Sequence, residues 1–474
     1  MKISKKEKCC EWIWVFLILG FTFAWMIIQP YNVSPDEQMR YDLINYIYEN
    51  GVLPRGDEPL LRHEIWGISY AFNPYLSGLI SALFMKGVSV FTINSTCLLI
   101  AARMTGVLCT AGTVWMGIRF SRIFFQGILR WVFIFFISLL PEVIFLGSYL
   151  NNDSLALFTS AWIICIWAYV LKEGWTWKNC IQLGIAISVC LLSYYNAYGV
   201  ILCSVIFFCI TILLCQEKMW DWKRLFSHGI IIFIIIALLA GWWFIRNYVI
   251  YDGDILGMKT STITSELYAL EEYKPSNRIT PKNLGMSILD MFFWIPGKWN
   301  FNWVGMLFVS FIGVFGQMTV FMPSVLPKIY MVVYAVGLLA VIPQIKVLFL
   351  PSYDLISVGR KKEDKAEIIT KKYRKGMPWK NERIFNQVML LSIIIPVILC
   401  VYYAYASDFQ AQGRYIMPML FPFIYFVVKG YEKILYGWIK NEVIRKLCLI
   451  LLMAFALFVA GYSYFVVFAP QYLV

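Results

Sequence analysis

The chain has 474 residues, of which 60% are hydrophobic and 18% aromatic, and its mean hydropathy is +0.68. Apolar runs of roughly 17–25 residues recur along it, which indicates transmembrane helices and excludes a soluble protein of this length. The net charge of +13 is concentrated in loops expected to be cytoplasmic, so it follows the positive-inside rule and does not require a nucleic-acid partner.

Eleven membrane spans are predicted, and they define an all-α, polytopic fold in a single membrane domain over residues 1–474. The first span follows a lysine-rich tail, 1–11, and no small-residue cleavage site comes after it, so we expect it to remain as a membrane helix. The N-terminus is then cytoplasmic and the C-terminus extracytoplasmic. The predicted spans are 12–29, 97–118, 131–149, 155–171, 180–195, 199–215, 229–245, 327–348, 387–406, 415–428 and 447–468.

Two long outer loops, 30–95 and 247–326, and a basic cytoplasmic loop, 350–386, connect these spans. The basic loop is typical of a topology anchor, with contact to anionic lipid headgroups as the alternative. Within the first outer loop, Ala71–Gly87 is apolar but contains Asn, Pro and Ser residues. Placing it in the outer interface, not across the membrane, makes the Arg-rich loop 119–130 cytoplasmic, as the charge rule favours.

Two further stretches are ambiguous. Residues 193–196 read Ser-Tyr-Tyr-Asn and interrupt an apolar run, which fits either a turn between two short helices or a break in one. Trp303–Met322 is apolar and contains three glycines, and the parity of the spans predicts that it returns to the outer side as a re-entrant or interfacial helix.

Ser34-Pro35-Asp36-Glu37 lies directly after the first span, on its outer side. These residues fit a capping box at the start of an amphipathic helix, which the pair Asn50-Gly51 would end. Asp36 and Glu37 are also candidate catalytic residues. A carboxylate at the outer membrane surface can act as a general base toward an acceptor hydroxyl.

The remaining candidate residues each have a structural alternative. Asp153 follows Asn151-Asn152 and starts a helix, where it can serve as a cap or bind an acceptor hydroxyl or a metal. Arg414 and Arg246 are candidate ligands for a donor phosphate, or interfacial anchors. Glu142 is an intramembrane carboxylate, for which a functional and a structural role are equally compatible with the sequence.

Metal and disulfide chemistry have weak support. Almost all of the 12 cysteines lie in or beside apolar runs and there are only 2 histidines, so neither a disulfide framework nor a Cys/His zinc site is expected. Asp57, Glu58, His63 and Glu64 offer ligands for a divalent cation, although their spacing is not diagnostic. In the same loop, Arg40, Arg55 and Arg62 are further candidate cations for the donor phosphate, and for each of them a surface charge is the favoured alternative.

The order of these carboxylates, arginines and membrane spans along the chain resembles the GT-C superfamily of integral-membrane glycosyltransferases. It is similar to the protein O-mannosyltransferases of glycosyltransferase family 39, to the aminoarabinose transferase of lipid A, and most of all to a group of related bacterial membrane proteins. The resemblance extends from about residue 10 to residue 430, and no single motif in it is specific. The segments that carry it are Asp36-Glu37, Asn152-Asp153-Ser154, Trp243-Phe244-Ile245-Arg246-Asn247, Tyr251-Asp252-Gly253-Asp254, Ser310-Phe311-Ile312-Gly313-Val314-Phe315-Gly316 and Gln412-Gly413-Arg414-Tyr415-Ile416-Met417-Pro418.

The resemblance implies an inverting glycosyltransferase in the plasma membrane that uses a polyprenyl-phosphate-linked sugar. It implies that Asp36 is the base and that Arg414 binds the phosphate. The acceptor would be a glycan, lipid or protein of the cell envelope, and the other partners would be membrane lipids. The loop 247–326 contains no histidine, so a zinc-assisted mechanism is disfavoured while a divalent cation stays open. The alternatives are a flippase for lipid-linked glycans, or a glycan polymerase or ligase.

Overall fold

The structure is a computed structural model that describes residues 4–215, 220–296, 301–350, 354–358, 371–375 and 381–473. Most of the basic loop 350–386 therefore lies outside the described residues. In chain order the helices are α1 Lys5–Ile28, α2 Glu37–Asn50, α3 Leu76–Ser89, α4 Ser95–Phe124, α5 Gly127–Ser138, α6 Pro141–Ser148, α7 Asp153–Glu173, α8 Trp177–Leu191, α9 Tyr198–Leu214, α10 Trp222–Leu239, α11 Gly241–Ile250, α12 Met258–Tyr268, α13 Ile288–Phe293, α14 Trp303–Gly313, α15 Val325–Leu339, α16 Ile345–Phe349, α17 Asn381–Ala406, α18 Leu420–Glu432 and α19 Glu442–Tyr462.

The strands are short and form two antiparallel hairpins. They are β1 Val314–Phe315 with β2 Val320–Phe321, and β3 Asp354–Val358 with β4 Lys371–Lys375. The all-α fold class is confirmed, since helices make up nearly all of the regular structure in the described residues.

Eight helices of the described residues are long and apolar enough to cross a membrane, and a ninth span is formed if α5 and α6 are counted together. The chain is therefore a multi-pass membrane protein. The two other predicted spans, 180–195 and 415–428, are occupied by the shorter helices α8 and α18. The axes of α5 and α6 differ by 48°. The bend precedes Pro141, because the proline ring prevents an unbroken helix through the residues before it.

The first outer loop contains helices that are too short to cross the bilayer. α3 has 14 residues, or about 21 Å at the helical rise of 1.5 Å, against a hydrocarbon core of about 30 Å. It packs along α4, where Ser81 donates to the hydroxyl of Thr105 at 2.8 Å. This length fits the predicted interfacial position of Ala71–Gly87. The α14 helix is similarly short, with 11 residues, and the β1–β2 hairpin follows it directly; the return of Trp303–Met322 to the outer side stays a prediction.

The predicted capping box at Ser34 is wrong. Helix α2 begins at Glu37, and Asp36 is its N-cap in a left-handed conformation with φ of +60°. The Ser34 hydroxyl instead accepts a hydrogen bond from the Gln29 side chain, and the Glu37 carboxylate faces away from the cap. The predicted end of the helix is confirmed, because Gly51 adopts φ of +67° and donates its N–H to Ile47.

Arg103 draws Glu37 into the protein. The Nε and Nη2 atoms of Arg103 donate to the two oxygens of Glu37, each at 2.8 Å. The same guanidinium donates to the backbone carbonyls of Met26, Gln29 and Pro30 at the end of α1. All five of its N–H groups are thereby used.

The Glu37 carboxylate also accepts the backbone N–H groups of Asn32 and Leu150, at 3.0 and 3.2 Å. Arg103 and Glu37 are 2% and 0% exposed. This ion pair joins the end of α1, the start of α2, the first third of α4 and the residues that precede α7.

Replacing Arg103 with Ala would leave the buried Glu37 carboxylate without its cation. Loss of one partner from a buried ion pair costs about 3–5 kcal/mol, so we expect a large fall in the melting temperature of the purified protein in detergent. Lys446→Ala is the matched control, because Lys446 pairs with Glu442 in an exposed bridge that adds little to stability. Similar melting temperatures for the two variants would contradict the structural role of the Arg103–Glu37 pair.

Candidate active site

Asp36 and Arg414 form an ion pair although 378 positions separate them in the chain. The Nη2 atom of Arg414 donates to Oδ2 of Asp36 at 2.7 Å. The Asp36 side chain is 32% exposed, whereas that of Arg414 is 4% exposed. One face of this carboxylate is therefore open to an approaching ligand while the other is held by a buried cation.

The position of Arg414 depends on close packing against α14. Arg414 lies in a 3-10 helix, Gly413–Met419, and the backbone N–H of Gly413 donates to the Ser310 hydroxyl at 2.8 Å. A Cβ atom at Gly413 would lie 2.2 Å from the backbone of Phe311, so only glycine allows this approach. The guanidinium also donates to the Tyr415 hydroxyl at 3.3 Å.

Arg40 is a second buried arginine in the site, and the sequence reading as a surface charge is wrong. It lies one helical turn after Asp36 and is 4% exposed. Its guanidinium lies 4.2 Å from the ring centroid of Tyr70 and 6.0 Å from that of Tyr194. The available signal was its helical face, because Arg40 shares the buried side of α2 with Leu43, Ile44 and Ile47.

Asp153 is the first residue of α7, as predicted, and it is 2% exposed. Its Oδ1 atom accepts a hydrogen bond from Nδ2 of Asn196 at 3.1 Å. It does not form the cap of its own helix, because the N-cap is Asn152 and no side-chain capping bond is present there. Arg40 and Arg414 are both within electrostatic range of Asp153.

The polar interruption 193–196 is a turn between two helices. Residues Tyr195–Ala197 form one turn of 3-10 helix between α8 and α9. The turn brings Asn196 to Asp153 and places Tyr194 within electrostatic range of Asp36, Asp153, Arg40 and Arg414. Of the two interpretations of this stretch, the structure therefore selects the turn.

Other candidate residues are placed differently. Both oxygens of Glu37 accept hydrogen bonds from Arg103, so this carboxylate is engaged by an arginine other than Arg40 and Arg414. Arg246 donates to the backbone carbonyls of Leu53 and Pro54, at 3.1 and 2.8 Å, and thereby holds the first outer loop. Glu142 accepts the N–H of Val314 at 3.4 Å and lies within electrostatic range of Arg414.

The loop residues proposed as cation ligands do not gather into a metal site. In the described part of the chain, no group of three or more His, Cys, Asp or Glu side chains is placed to hold a metal ion. Asp57 instead binds Arg55 with both oxygens, at 2.9 and 3.0 Å, and the His63 ring accepts the N–H of Ile65. Asp36 is paired with Arg414, and the charges of Arg414 and Arg40 act on Asp153, so within the described residues these carboxylates do not form a ligand set for a resident metal.

The charge of Asp36 is stabilised by its neighbours. Burial by itself raises the pKa of this carboxyl, but the charges of Arg414 and Arg40 and hydrogen bonds from Arg414 and Tyr70 outweigh burial, so the pKa lies below its ordinary value of 3.8. Asp36 is therefore ionised at neutral pH and able to accept a proton.

The buried polar atoms of the site divide into donors and acceptors. Among the described residues, the Nε and Nη1 atoms of both Arg40 and Arg414 have no hydrogen-bond partner. The same holds, within those residues, for Oδ2 of Asp153 and Oδ1 of Asn196. Buried polar atoms normally have partners, so this arrangement is suited to a ligand that carries both an anionic group and hydrogen-bond donors.

Neither a protein-family model nor a curated protein matches the sequence. Solved structures do match the fold. One is the archaeal oligosaccharyltransferase AglB from Archaeoglobus fulgidus in complex with an inhibitory peptide and a dolichol-phosphate, with a TM-score of 0.56 and 11% identity over 99% of this chain and 56% of AglB. Another is ArnT from Cupriavidus metallidurans bound to undecaprenyl phosphate, with a TM-score of 0.50 and 10% identity over 92% of this chain and 63% of ArnT.

The chain thus spans less than two thirds of the length of either protein. At these identities the likeness concerns the fold, which extends over nearly the whole of this chain. AglB and ArnT are both members of the superfamily that the sequence resembles. The chain therefore has the fold of the GT-C membrane glycosyltransferases.

Proposed function

We propose that this protein is a glycosyltransferase that moves a sugar from a polyprenyl-phosphate donor to an acceptor of the cell envelope. The observation that carries the proposal is the partly open Asp36 carboxylate between two buried arginines, each of which has two nitrogens without a partner among the described residues. A carboxylate and a pair of cations are what acid–base transfer from a lipid phosphate requires. The reaction is assigned to the extracytoplasmic face, on the side that the positive-inside rule gives to Asp36.

In the proposed reaction Asp36 is the general base. The acceptor hydroxyl attacks the anomeric carbon of the sugar and forms the new C–O bond while its proton passes to Asp36. The bond from the anomeric carbon to the phosphate oxygen breaks with its electron pair, so polyprenyl phosphate leaves and the configuration inverts. Solvent then takes the proton from Asp36, which restores the carboxylate for the next cycle.

Arg414 and Arg40 are the proposed ligands of the donor phosphate. Arg414 uses Nη2 for Asp36, while its Nε and Nη1 atoms are free among the described residues to donate to an anion. Arg40 offers the same two atoms. Charge-assisted hydrogen bonds from guanidinium groups are strong and geometrically specific, and they stabilise the charge that develops on the leaving phosphate.

Donor binding would also strengthen the base. The two arginines hold the pKa of Asp36 below its ordinary value, whereas burial acts in the opposite direction. A phosphate bound between them would cancel part of their positive charge, so burial would then raise the pKa. Asp36 would thus become a better proton acceptor once the donor is in place.

The structure suits Glu37 and Arg246 to other roles. The Glu37 carboxylate is fully engaged by Arg103 and two backbone N–H groups, so we assign it to positioning Asp36 and not to proton transfer. Arg246 binds backbone carbonyls of the first outer loop, and we leave it out of the phosphate site. No step of the mechanism passes through a metal.

The fold neighbours support the choice of donor class. AglB has been solved with a dolichol-phosphate and ArnT with undecaprenyl phosphate. A polyprenyl phosphate combines a long apolar chain with an anionic head, which suits a site of two arginines in a membrane protein. The proposed function places the protein in the plasma membrane.

Asp36→Asn should abolish transfer while the protein remains folded, with a smaller fall in melting temperature than Arg103→Ala, because Asn keeps a hydrogen-bond acceptor for Arg414 and Asp36 is 32% exposed. The test uses purified protein in nanodiscs, a panel of undecaprenyl-phosphate-linked hexoses and pentoses, and detection of released undecaprenyl phosphate. Loss of a general base lowers the rate by about 10²–10⁴-fold. Asp57→Asn is the control, since Asp57 lies in the same loop but pairs with Arg55, and it should retain activity. Normal turnover in Asp36→Asn would refute the assignment, and an absence of release by the native protein across the panel would count against the enzyme.

Arg40→Gln and Arg414→Gln should each weaken binding of undecaprenyl phosphate by about tenfold or more, because each removes charge-assisted hydrogen bonds. Binding to protein in nanodiscs is measured by displacement of a fluorescent polyprenyl phosphate. Arg246→Gln should leave the affinity unchanged. If Arg246→Gln lost the most affinity, the phosphate site would have to be moved to the first outer loop.

The pH dependence should follow the ionisation of Asp36. Because the charges of Arg414 and Arg40 hold the pKa of Asp36 below its ordinary value, kcat/KM should decline on the acid side only at a lower pH than an unperturbed aspartate would give. Arg414→Gln removes the largest influence that lowers the pKa of Asp36, whereas burial continues to raise it. The acid limb of its residual activity should therefore move to higher pH. An unshifted limb would show that another group sets the profile.

A further inference from the structure

The turn between α8 and α9 presents hydrogen-bond acceptors to the site. The Asn196 amide donates through Nδ2 to Oδ1 of Asp153 at 3.1 Å. Because a carboxylate can only accept, this contact fixes which end of the amide faces Asp153, and Oδ1 of Asn196 is left as an acceptor. Oδ1 of Asn196 and Oδ2 of Asp153 are both buried without a hydrogen-bond partner in the described ranges of the chain.

Two unpaired acceptors identify the chemistry of the group that would bind there. Such a group must donate hydrogen bonds, as the hydroxyl groups of a sugar do. A phosphate offers only acceptors and would be repelled by Asp153. A metal ion is disfavoured in the described residues because no third carboxylate, histidine or cysteine completes a ligand set. The pair therefore differs in kind from the two arginines, whose free atoms are all donors.

Tyr194 connects this acceptor pair with the arginines. Its ring lies 6.0 Å from the Arg40 guanidinium, and it is within electrostatic range of both Asp153 and Asp36. A ligand with its phosphate on Arg40 and Arg414 would thus extend past Tyr194 toward Asp153 and Asn196. In a polyprenyl-phosphate-linked sugar, the phosphate is bonded directly to the sugar. The phosphate would therefore lie on the arginines and the sugar beside Asp153 and Asn196.

The turn is held rigidly from several directions. The Ser193 hydroxyl donates to the carbonyl of Cys190 at 2.7 Å, and the Tyr195 hydroxyl donates to the carbonyl of Leu256 at 2.6 Å. The N–H of Leu76 donates to Leu192 at 3.1 Å, which joins the turn to the start of α3. A fixed pair of acceptors loses little entropy when it binds a ligand, as a specificity-determining site requires.

We propose that Asp153, Asn196 and Tyr194 form a subsite that binds adjacent hydroxyl groups of a sugar, and that Asn196 and Tyr194 determine which sugar is accepted. The proposal rests on the function proposed above. Asp153 then binds substrate while Asp36 moves the proton, so the two carboxylates have separate roles. The hydroxyls belong either to the sugar of the donor or to a sugar acceptor, and the position beside the arginines favours the donor.

The test compares two probes in nanodiscs, undecaprenyl phosphate and undecaprenyl-phosphate-linked hexoses. Asn196→Ala and Tyr194→Phe should each lower the affinity for the hexose-linked lipid about tenfold and leave that for undecaprenyl phosphate unchanged. Tyr194→Phe removes one hydroxyl and keeps the ring, so it should fold normally. It therefore tests the subsite even if Asn196→Ala fails to fold. Asp57→Asn is the control, because Asp57 pairs with Arg55 and lies outside the turn, and it should bind both lipids normally.

The outcomes separate the possible sources of the sugar. Unchanged binding of both lipids with a raised KM for the acceptor would assign the subsite to a sugar acceptor and still support its chemistry. Equal loss of affinity for both lipids, or no change in binding and transfer, would overturn the subsite. If the native protein binds neither lipid, the proposed function itself fails.

Discussion

The buried ion pair between Arg103 and Glu37 determines how the first outer loop meets the membrane helices. Asp36 adopts a left-handed conformation, which costs a non-glycine residue about 1–3 kcal/mol and persists only where the surroundings enforce it. The adjacent Glu37 supplies that constraint, because four hydrogen bonds hold its carboxylate. The end of α1, the first turn of α2 and the approach to α7 are thereby fixed together, and Asp36 is presented toward Arg414.

The site beyond this pair balances two carboxylates against two arginines in a partly buried space. Burying an isolated charge costs much free energy, and the two arginines and the two carboxylates reduce that cost for each other. Within these side chains, and among the described residues, the unpaired donors lie on Arg40 and Arg414 and the unpaired acceptors on Asp153 and Asn196. This separation supports a ligand with an anionic group next to hydroxyl groups, and it links the phosphate and sugar proposals through one geometry.

Sequence reasoning succeeded where the signal was long and local. Apolar runs predicted the membrane helices, and the Asn50-Gly51 pair predicted the end of α2, because length and glycine conformation act within one segment. It failed at Ser34, where a capping box was expected, since Arg103 lies 66 positions from Glu37 and competes for the same carboxylate. It also failed at Arg40, because a charge on the apolar face of a short helix was read as exposed.

The amino-acid sequence by itself determined that this is a multi-pass, helical membrane protein with two carboxylates directly after its first membrane helix, since hydropathy and charge are properties of composition and order. The grouping of Asp36, Arg40, Asp153, Asn196 and Arg414 was decided only by the tertiary structure. Arg414 reaches Asp36 across 378 positions because Gly413 allows close packing on α14, and Asn196 reaches Asp153 because α8 ends in a turn. Such contacts depend on the packing of distant helices, which no local pattern encodes.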